Sequence, residues 1–358
     1  MTADAGGREA ERQTLGGMAA GLWAAANRYA VVLLLLIVIF CFFSLTQPDF
    51  FSRANIENLL TGSSILFVVS IGMTFVVLTG GIDLSVGSLL ALSGIILSEL
   101  FNDVGLPAPL AVLGTCLAAA LIGGAINGVL IGRLGLSFFV VTLGTLSIYR
   151  GVVNIWSDTE TTYITSSFVD AIAFSKLLGI AYPIWIMVAT YLIALVVLRW
   201  TYFGRDVYAV GGNITAARLS GINVARTLIL VYAIAGLCAG IGGVIQAARL
   251  GAASPLVGEA TPLDAAAAVL LGGTSFLGGV GGVTGTAVGV LFIGTLQNGL
   301  SISGVSSFWQ QVVTGVILIL AIAIDLLQQN PGGRLRRLRG VGHGPTSTSE
   351  PTLEKGEP

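Results

Sequence analysis

Few residues in this chain are equipped for chemistry, and they stand singly among apolar neighbours. Asp83 and Ser85 lie in Gly80-Gly81-Ile82-Asp83-Leu84-Ser85-Val86-Gly87, a polar break in an apolar stretch. Glu259 and Asp264 flank Pro262, while Asn127, Thr142, Gln246 and Asn298 interrupt apolar runs. The single histidine, His343, sits in a polar tail, and no carboxylates are paired within the apolar runs, so an acid–base or intramembrane hydrolytic centre has no support. Cys41, Cys116 and Cys238 show no metal or redox spacing and read as buried small hydrophobes. What remains is hydrogen bonding. Asp83 reads either as a gate or path element or as a cap on the helix that follows it. Asn127 and Asn298 either join helices or touch a solute, because an unpaired amide in hydrocarbon is costly. Glu259 and Asp264 either line an outer mouth or are loop carboxylates, one of them capping. Thr142, Thr314 and Gln246 are weaker candidates for the path.

The elements holding these groups belong to a membrane. Charged residues are 10% of the chain, against about 25% in an ordinary soluble domain, and the mean hydropathy is +0.91. The 49 glycines allow the close helix packing that drives association in lipid. Ten apolar segments are expected: 29–45, 58–79, 84–101, 108–131, 136–154, 182–199, 227–248, 262–273, 283–301 and 308–327. The eighth is short, bounded by Pro262 and Gly272-Gly273, and reads as a broken helix that protein or a water-filled cavity must surround. Residues 1–28 form an N-terminal tail and 29–330 the membrane domain. Residues 331–358 form a Gly-, Pro-, Ser- and Thr-rich tail expected to be disordered. Placing both termini in the cytoplasm puts thirteen Lys and Arg inside and four outside (Arg53, Arg150, Lys176 and Arg249). Nucleic-acid binding has no support, since the one dense basic cluster, Arg334, Arg336, Arg337 and Arg339, adjoins a span.

A repeat organises the spans. A shift of 171 positions brings Gly72 onto Gly243, Gly80 onto Gly251, Gly87 onto Gly258 and Asn127-Gly128 onto Asn298-Gly299. Six glycines coincide between 72 and 128, where composition alone would give roughly one. An odd number of spans separates the copies, so the halves, about 50–155 and 220–327, are expected to be inverted about an axis in the membrane plane. The fold expected is therefore an all-α integral membrane protein with inverted five-helix repeats.

Three segments resemble the permeases of bacterial ABC importers for ribose, xylose and related monosaccharides. They are Gly72–Ser88, the loop Gly204–Asn213 continuing through Ala216-Ala217-Arg218-Leu219-Ser220-Gly221-Ile222 to Val224, and the Gly-rich run Leu270–Gly282. The resemblance covers about 50–327. It implies a homodimer, cytoplasmic ATPase subunits that hold ATP and Mg, and a periplasmic sugar-binding protein, with the chain in the bacterial inner membrane. Independently, the chain has no Gly-Lys-Ser/Thr and only two lysines, so it has no phosphate loop of its own. No metal or other cofactor is expected on this chain.

The resemblance makes the 200–226 loop the ATPase-coupling element. A short amphipathic helix there would offer Ala216, Ala217, Leu219 and Ile222 to a partner groove. Gly204, Gly211, Gly212 and Gly221 allow close approach and sharp turns around Asn213, and Arg205, Arg218 and Arg226 suit an acidic partner or lipid head groups. The Gly272–Gly282 run lacks a lysine and reads as a packed turn, and Asp325 as an interfacial residue. Together these features point to a permease that moves a neutral solute, a pentose or hexose, by alternating access. The alternatives are a branched-chain amino acid or autoinducer permease of the same superfamily and an ion-coupled secondary transporter.

Overall fold

The computed structural model describes residues 30–329, with side chains described as far as Leu326. The expected tails and the Arg334–Arg339 cluster lie outside these residues. In chain order the helices are α1 (Ala30–Thr46), α2 (Arg53–Leu78), α3 (Val86–Ser98), α4 (Ala108–Ile122), α5 (Val129–Gly132), α6 (Phe138–Trp156), α7 (Ser167–Phe174), α8 (Tyr182–Trp200), α9 (Tyr202–Gly212), α10 (Ile214–Leu219), α11 (Val224–Leu250), α12 (Thr261–Leu271), α13 (Val283–Ile302) and α14 (Ser307–Gln329). Two π-helical stretches, Glu99–Asp103 and Gly123–Gly128, extend α3 and join α4 to α5. Among the described residues, eight helical stretches are long and apolar enough to cross a bilayer, and α1 and α12 are shorter apolar helices. These correspond to the ten expected segments. At 11 residues, or about 17 Å, α12 reaches only partway across, as Pro262 in its first turn and Gly272-Gly273 just after it predict. α2 starts at Arg53 rather than near 58, because the Ser52 hydroxyl accepts from the Asn55 N–H at 3.2 Å and carries the helix past the apolar run.

The shift of 171 carries α2 onto α11, α3 onto α12, α4–α5 onto α13 and α6 onto α14. The two members of the first pair pack together at the centre. Passing from Gly62 through Gly72 of α2 to Gly81 just beyond its end, the α11 neighbours are Arg249, then Cys238 and Ala235, then Tyr232. One number rises as the other falls, so the paired helices are antiparallel and the copies are inverted. α11 also packs on α3 and α4 of the first half, just as α2 packs on α12 and α13 of the second. The halves are thus interlocked through their second helices. Small residues make this possible: a Cβ at Gly72 would stand 2.9 Å from the Ala235 Cα, and one at Gly123 3.0 Å from the Gly236 Cα. Gly87 and Gly258, exact counterparts under the shift, touch each other, each facing the other's carbonyl. They therefore lie on the pseudo-two-fold axis.

Among the described residues, the exceptions to all-α structure are short strands at the N-terminal end of α2. Thr162-Tyr163 pairs with Ala252-Ala253, and Lys176-Leu177 pairs with Ile180-Ala181. Lys176 Nζ meets Glu57 Oε1 at 2.6 Å and ties the second hairpin to α2. The three cysteines are not equally buried as expected: Cys238 is buried, Cys116 half-buried and Cys41 exposed. Cys41 belongs to α1, most of whose side chains face outward and find their apolar medium in lipid rather than protein.

Candidate functional site

Two groups of residues gather at opposite ends of α2. At its C-terminal end the backbone turns through Thr79–Gly81, with Gly80 at φ +81°, and climbs back toward the axis before α3 begins. Asp83 and Ser85 sit on this returning segment and are buried. Asp83 Oδ1 accepts from the Ser85 N–H at 2.9 Å and from its hydroxyl at 2.5 Å. Asn127, carried by the π-helical Gly123–Gly128 stretch, donates to Ser85 Oγ at 2.8 Å and to Asp83 Oδ1 at 3.5 Å. Asp83 does not cap the N–H groups of α3 itself; its bonds go to Ser85, the residue before that helix, and with Asn127 they form one network that ties this segment to the stretch joining α4 and α5. Thr142 of α6 donates to the Ile82 carbonyl at 3.3 Å, bringing a third helix to the same turn. The glycines of the π stretch let it approach α11 closely, with Gly128 against Ile229 and Gly124 against Ala233.

The 200–226 segment packs beside this turn. It forms two helices, α9 and α10, rather than the one expected. Thr201 caps α9 through the Gly204 N–H at 3.1 Å, and Asn213 caps α10 through the Ala216 N–H at 2.9 Å. Gly204 is buried against the Leu198 carbonyl. Gly211 lies inside α9 with no room for a side chain, its Cα direction filled by the Leu78 carbonyl and by Gly279. Tyr208 donates to the Gly281 carbonyl at 2.9 Å, and the Gly279 N–H donates to the Leu78 carbonyl at 2.8 Å. α9 therefore rests on the end of α2 and on the 273–282 turn at once, one from each repeat. Ala217 points inward, buried with Val210, Val224 and Leu228. Ala216, Arg218, Leu219 and Gly221 are exposed, Ile222 is half-buried, and Arg205 lies over the Tyr202 ring at 4.2 Å. The exposed face differs from the expected one by Ala217, because a helix of six residues can spare only one side for anchoring. Gly212 is exposed at the break between the helices, and Gly221, at φ +84°, makes the turn into α11.

The 273–282 run is the packed turn expected. Asp325 is more than an interfacial residue: its Oδ2 accepts from the Phe276 N–H at 3.1 Å and the Ser275 hydroxyl at 3.3 Å, holding that turn to α14.

At the N-terminal end of α2 stand the remaining candidates. Asn298 exchanges hydrogen bonds with Asn55 at 3.0 Å. Asp264 accepts from Gln297, which sequence reasoning passed over, at 3.1 Å. Glu259 is exposed, and Gln246 is half-buried within α11. Arg150 of α6 donates to the carbonyls of Pro255 and Val257, pinning the segment before α12. The candidates therefore do not form one site. Asn127 and Asn298, equivalent in sequence, lie at opposite ends of the same helix.

Duplicated inverted halves, interlocked helices and lone buried hydrogen-bonding groups define a multi-pass membrane transport protein. The chain belongs to the family described as the permease component of branched-chain amino acid transport systems, which it matches over residues 55–322. Among its relatives, the ribose import permease of Escherichia coli K12 is 39% identical over 86% of this chain and 95% of its own length. The ribose import permease of Bacillus subtilis is 42% identical over 79% of this chain and 88% of its own. The D-allose transport system permease of Escherichia coli K12 is 39% identical over 84% and 92%. These relatives are transport subunits rather than enzymes. No solved structure matches the chain.

Proposed function

We propose that this chain is the membrane subunit of an ATP-driven importer for a monosaccharide, ribose or another pentose or hexose. The likeness to permeases named for ribose and allose, running through nearly the whole chain, carries the reading. The family's description names branched-chain amino acids, so that substrate class is the second reading and is tested alongside. Both termini lie in the cytoplasm of a bacterial cell, which puts α9 and α10 inside and the short strands outside. Two copies form the working unit, with the path between them. A periplasmic binding protein delivers the sugar, and a separate cytoplasmic ATPase, holding ATP and Mg, supplies the energy; this chain binds no cofactor.

The mechanism follows from the contacts of α9. The ATPase grips the exposed Arg218–Leu219 face. Closure of the ATPase pair pushes α9, whose Gly211 seat on Leu78 and Gly279 leaves no slack to absorb the motion. The push reaches the Asp83 turn ahead of α3 and the 273–282 turn ahead of α13 together, one in each repeat. The Asp83 turn leads directly to Gly87, and the 273–282 turn reaches Gly258 through the short α12, so the halves tilt about the Gly87–Gly258 contact and expose the path to alternate sides. A neutral polyol needs no buried countercharge on such a route.

The test is reconstitution in proteoliposomes with a cognate ABC ATPase and sugar-binding protein. ATP-dependent accumulation of labelled D-ribose or D-allose, insensitive to proton and sodium ionophores, is expected. Accumulation of leucine instead would select the second reading, and uptake without the ATPase would overturn both.

A further inference from the structure

At the N-terminal end of α2 lies a polar cavity of about 290 Å³, just under the roughly 300–1,000 Å³ of small-molecule sites. It is bounded by the first half of α2, the last turn of α11, the second half of α13 and the start of α14. Asn58, Ser63, Arg249, Gln297, Asn298 and Gln310 furnish its polar wall. A larger cavity of about 880 Å³, between α1, α2, α8 and α13, is lined mainly by apolar side chains and suits lipid tails instead.

Two observations single out the polar cavity. First, the half-buried Arg249 guanidinium makes no hydrogen bond or ion pair with any described residue and lines the cavity, so its donors are open to a molecule held there. Gly62 lies directly beside it, since a Cβ there would stand 3.6 Å from the guanidinium, in ordinary van der Waals contact, so α2 supports the side chain at the cavity edge. Second, the repeat supplies an internal comparison. Under the shift of 171, Asn58, Ser63, Arg249, Gln297 and Gln310 fall on Ile229, Ile234, Leu78, Ile126 and Phe139. The other copy builds the same corner from apolar side chains and keeps only Asn127, opposite Asn298. The fold therefore does not require polar groups there.

The geometry points to this cavity as the reception subsite for a neutral polyol of monosaccharide size. This rests on the function proposed above. Amide groups and a serine hydroxyl both donate and accept, as ring hydroxyls do, and the Arg249 fork can bridge two adjacent hydroxyl oxygens. The wall holds no carboxylate, which disfavours a cation or the ammonium of an amino acid. The site lies on the face that would receive solute from a binding protein.

The test uses the full complex in proteoliposomes and reads labelled D-ribose imported per ATP hydrolysed. Arg249→Leu and Gln297→Ile, each copying the other repeat, are expected to lower that ratio about tenfold, with Arg249→Lys recovering part of it. Ser301→Trp, on an exposed rim position, should fill the cavity with a similar loss, and Ser301→Ala should not. If import and hydrolysis fall together, leaving the ratio unchanged, the residues serve only the structure and the subsite is wrong. A preference for the anion ribonate that Arg249→Leu removes would overturn the polyol assignment. Failure of the wild-type complex to import any sugar would sink the proposed function instead, a separate result.

Discussion

Asp83 shows how one side chain can hold a membrane fold at a turn. Its Oδ1 gathers the Ser85 N–H and hydroxyl and the Asn127 amide in a place that water does not reach. Removing the acceptor leaves the Ser85 N–H and hydroxyl buried and unmet, while Asn127 keeps its bond to Ser85 Oγ. Asp83→Ala is therefore expected to destabilise the protein by about 1–3 kcal/mol, read as a lower midpoint of thermal unfolding in detergent. Asp83→Asn, which keeps an acceptor oxygen, should lose less, and equal losses would show that the network contributes nothing. The Gly87–Gly258 contact makes a harsher demand, since even a methyl group at either position meets a carbonyl that belongs to the other repeat. That a glycine recurs at both positions is visible in the sequence. That the two touch is not, because 171 residues separate them and only interlocking of the halves brings them together.

At the scale of elements, α9 and α10 divide the work between anchoring and presentation. Gly211, Tyr208 and Ala217 fix the pair to the membrane domain, while Arg218 and Leu219 remain exposed. Leu219→Asp should weaken co-purification of the ATPase about tenfold and leave the permease's own thermal stability unchanged. Gly211→Val should act differently: the ATPase still binds, but hydrolysis no longer drives import, because α9 cannot seat on Leu78 and Gly279. Normal coupling in Gly211→Val would show that the seat transmits nothing. The sequence marked this loop through its glycines, arginines and family likeness. It did not reveal that Ala217 faces inward, since a six-residue helix is too short for its pattern to declare which side is covered.

For the whole molecule, the inverted halves make a prediction about sides. Single cysteines at Leu178, beside the short strands, and at Leu219, on α10, are both exposed. In intact cells a membrane-impermeant thiol reagent should label Leu178→Cys, and should label Leu219→Cys only after permeabilisation. Labelling of both from outside would contradict the orientation.

The apolar runs, the repeat and the scarcity of charge determined by themselves that this chain crosses a membrane in duplicated halves. Hydrocarbon leaves the backbone few choices, so helix number and length follow from composition and spacing. The short α12 was legible for the same reason, through Pro262 and Gly272-Gly273. Only the tertiary structure decided which polar residues meet. Asn127 joined Asp83 while its counterpart Asn298 joined Asn55, and Arg249, Gln297 and Asn58 came together from three different helices. Packing between distant helices sets those neighbours, and the glycines that permit it carry no mark of their partners.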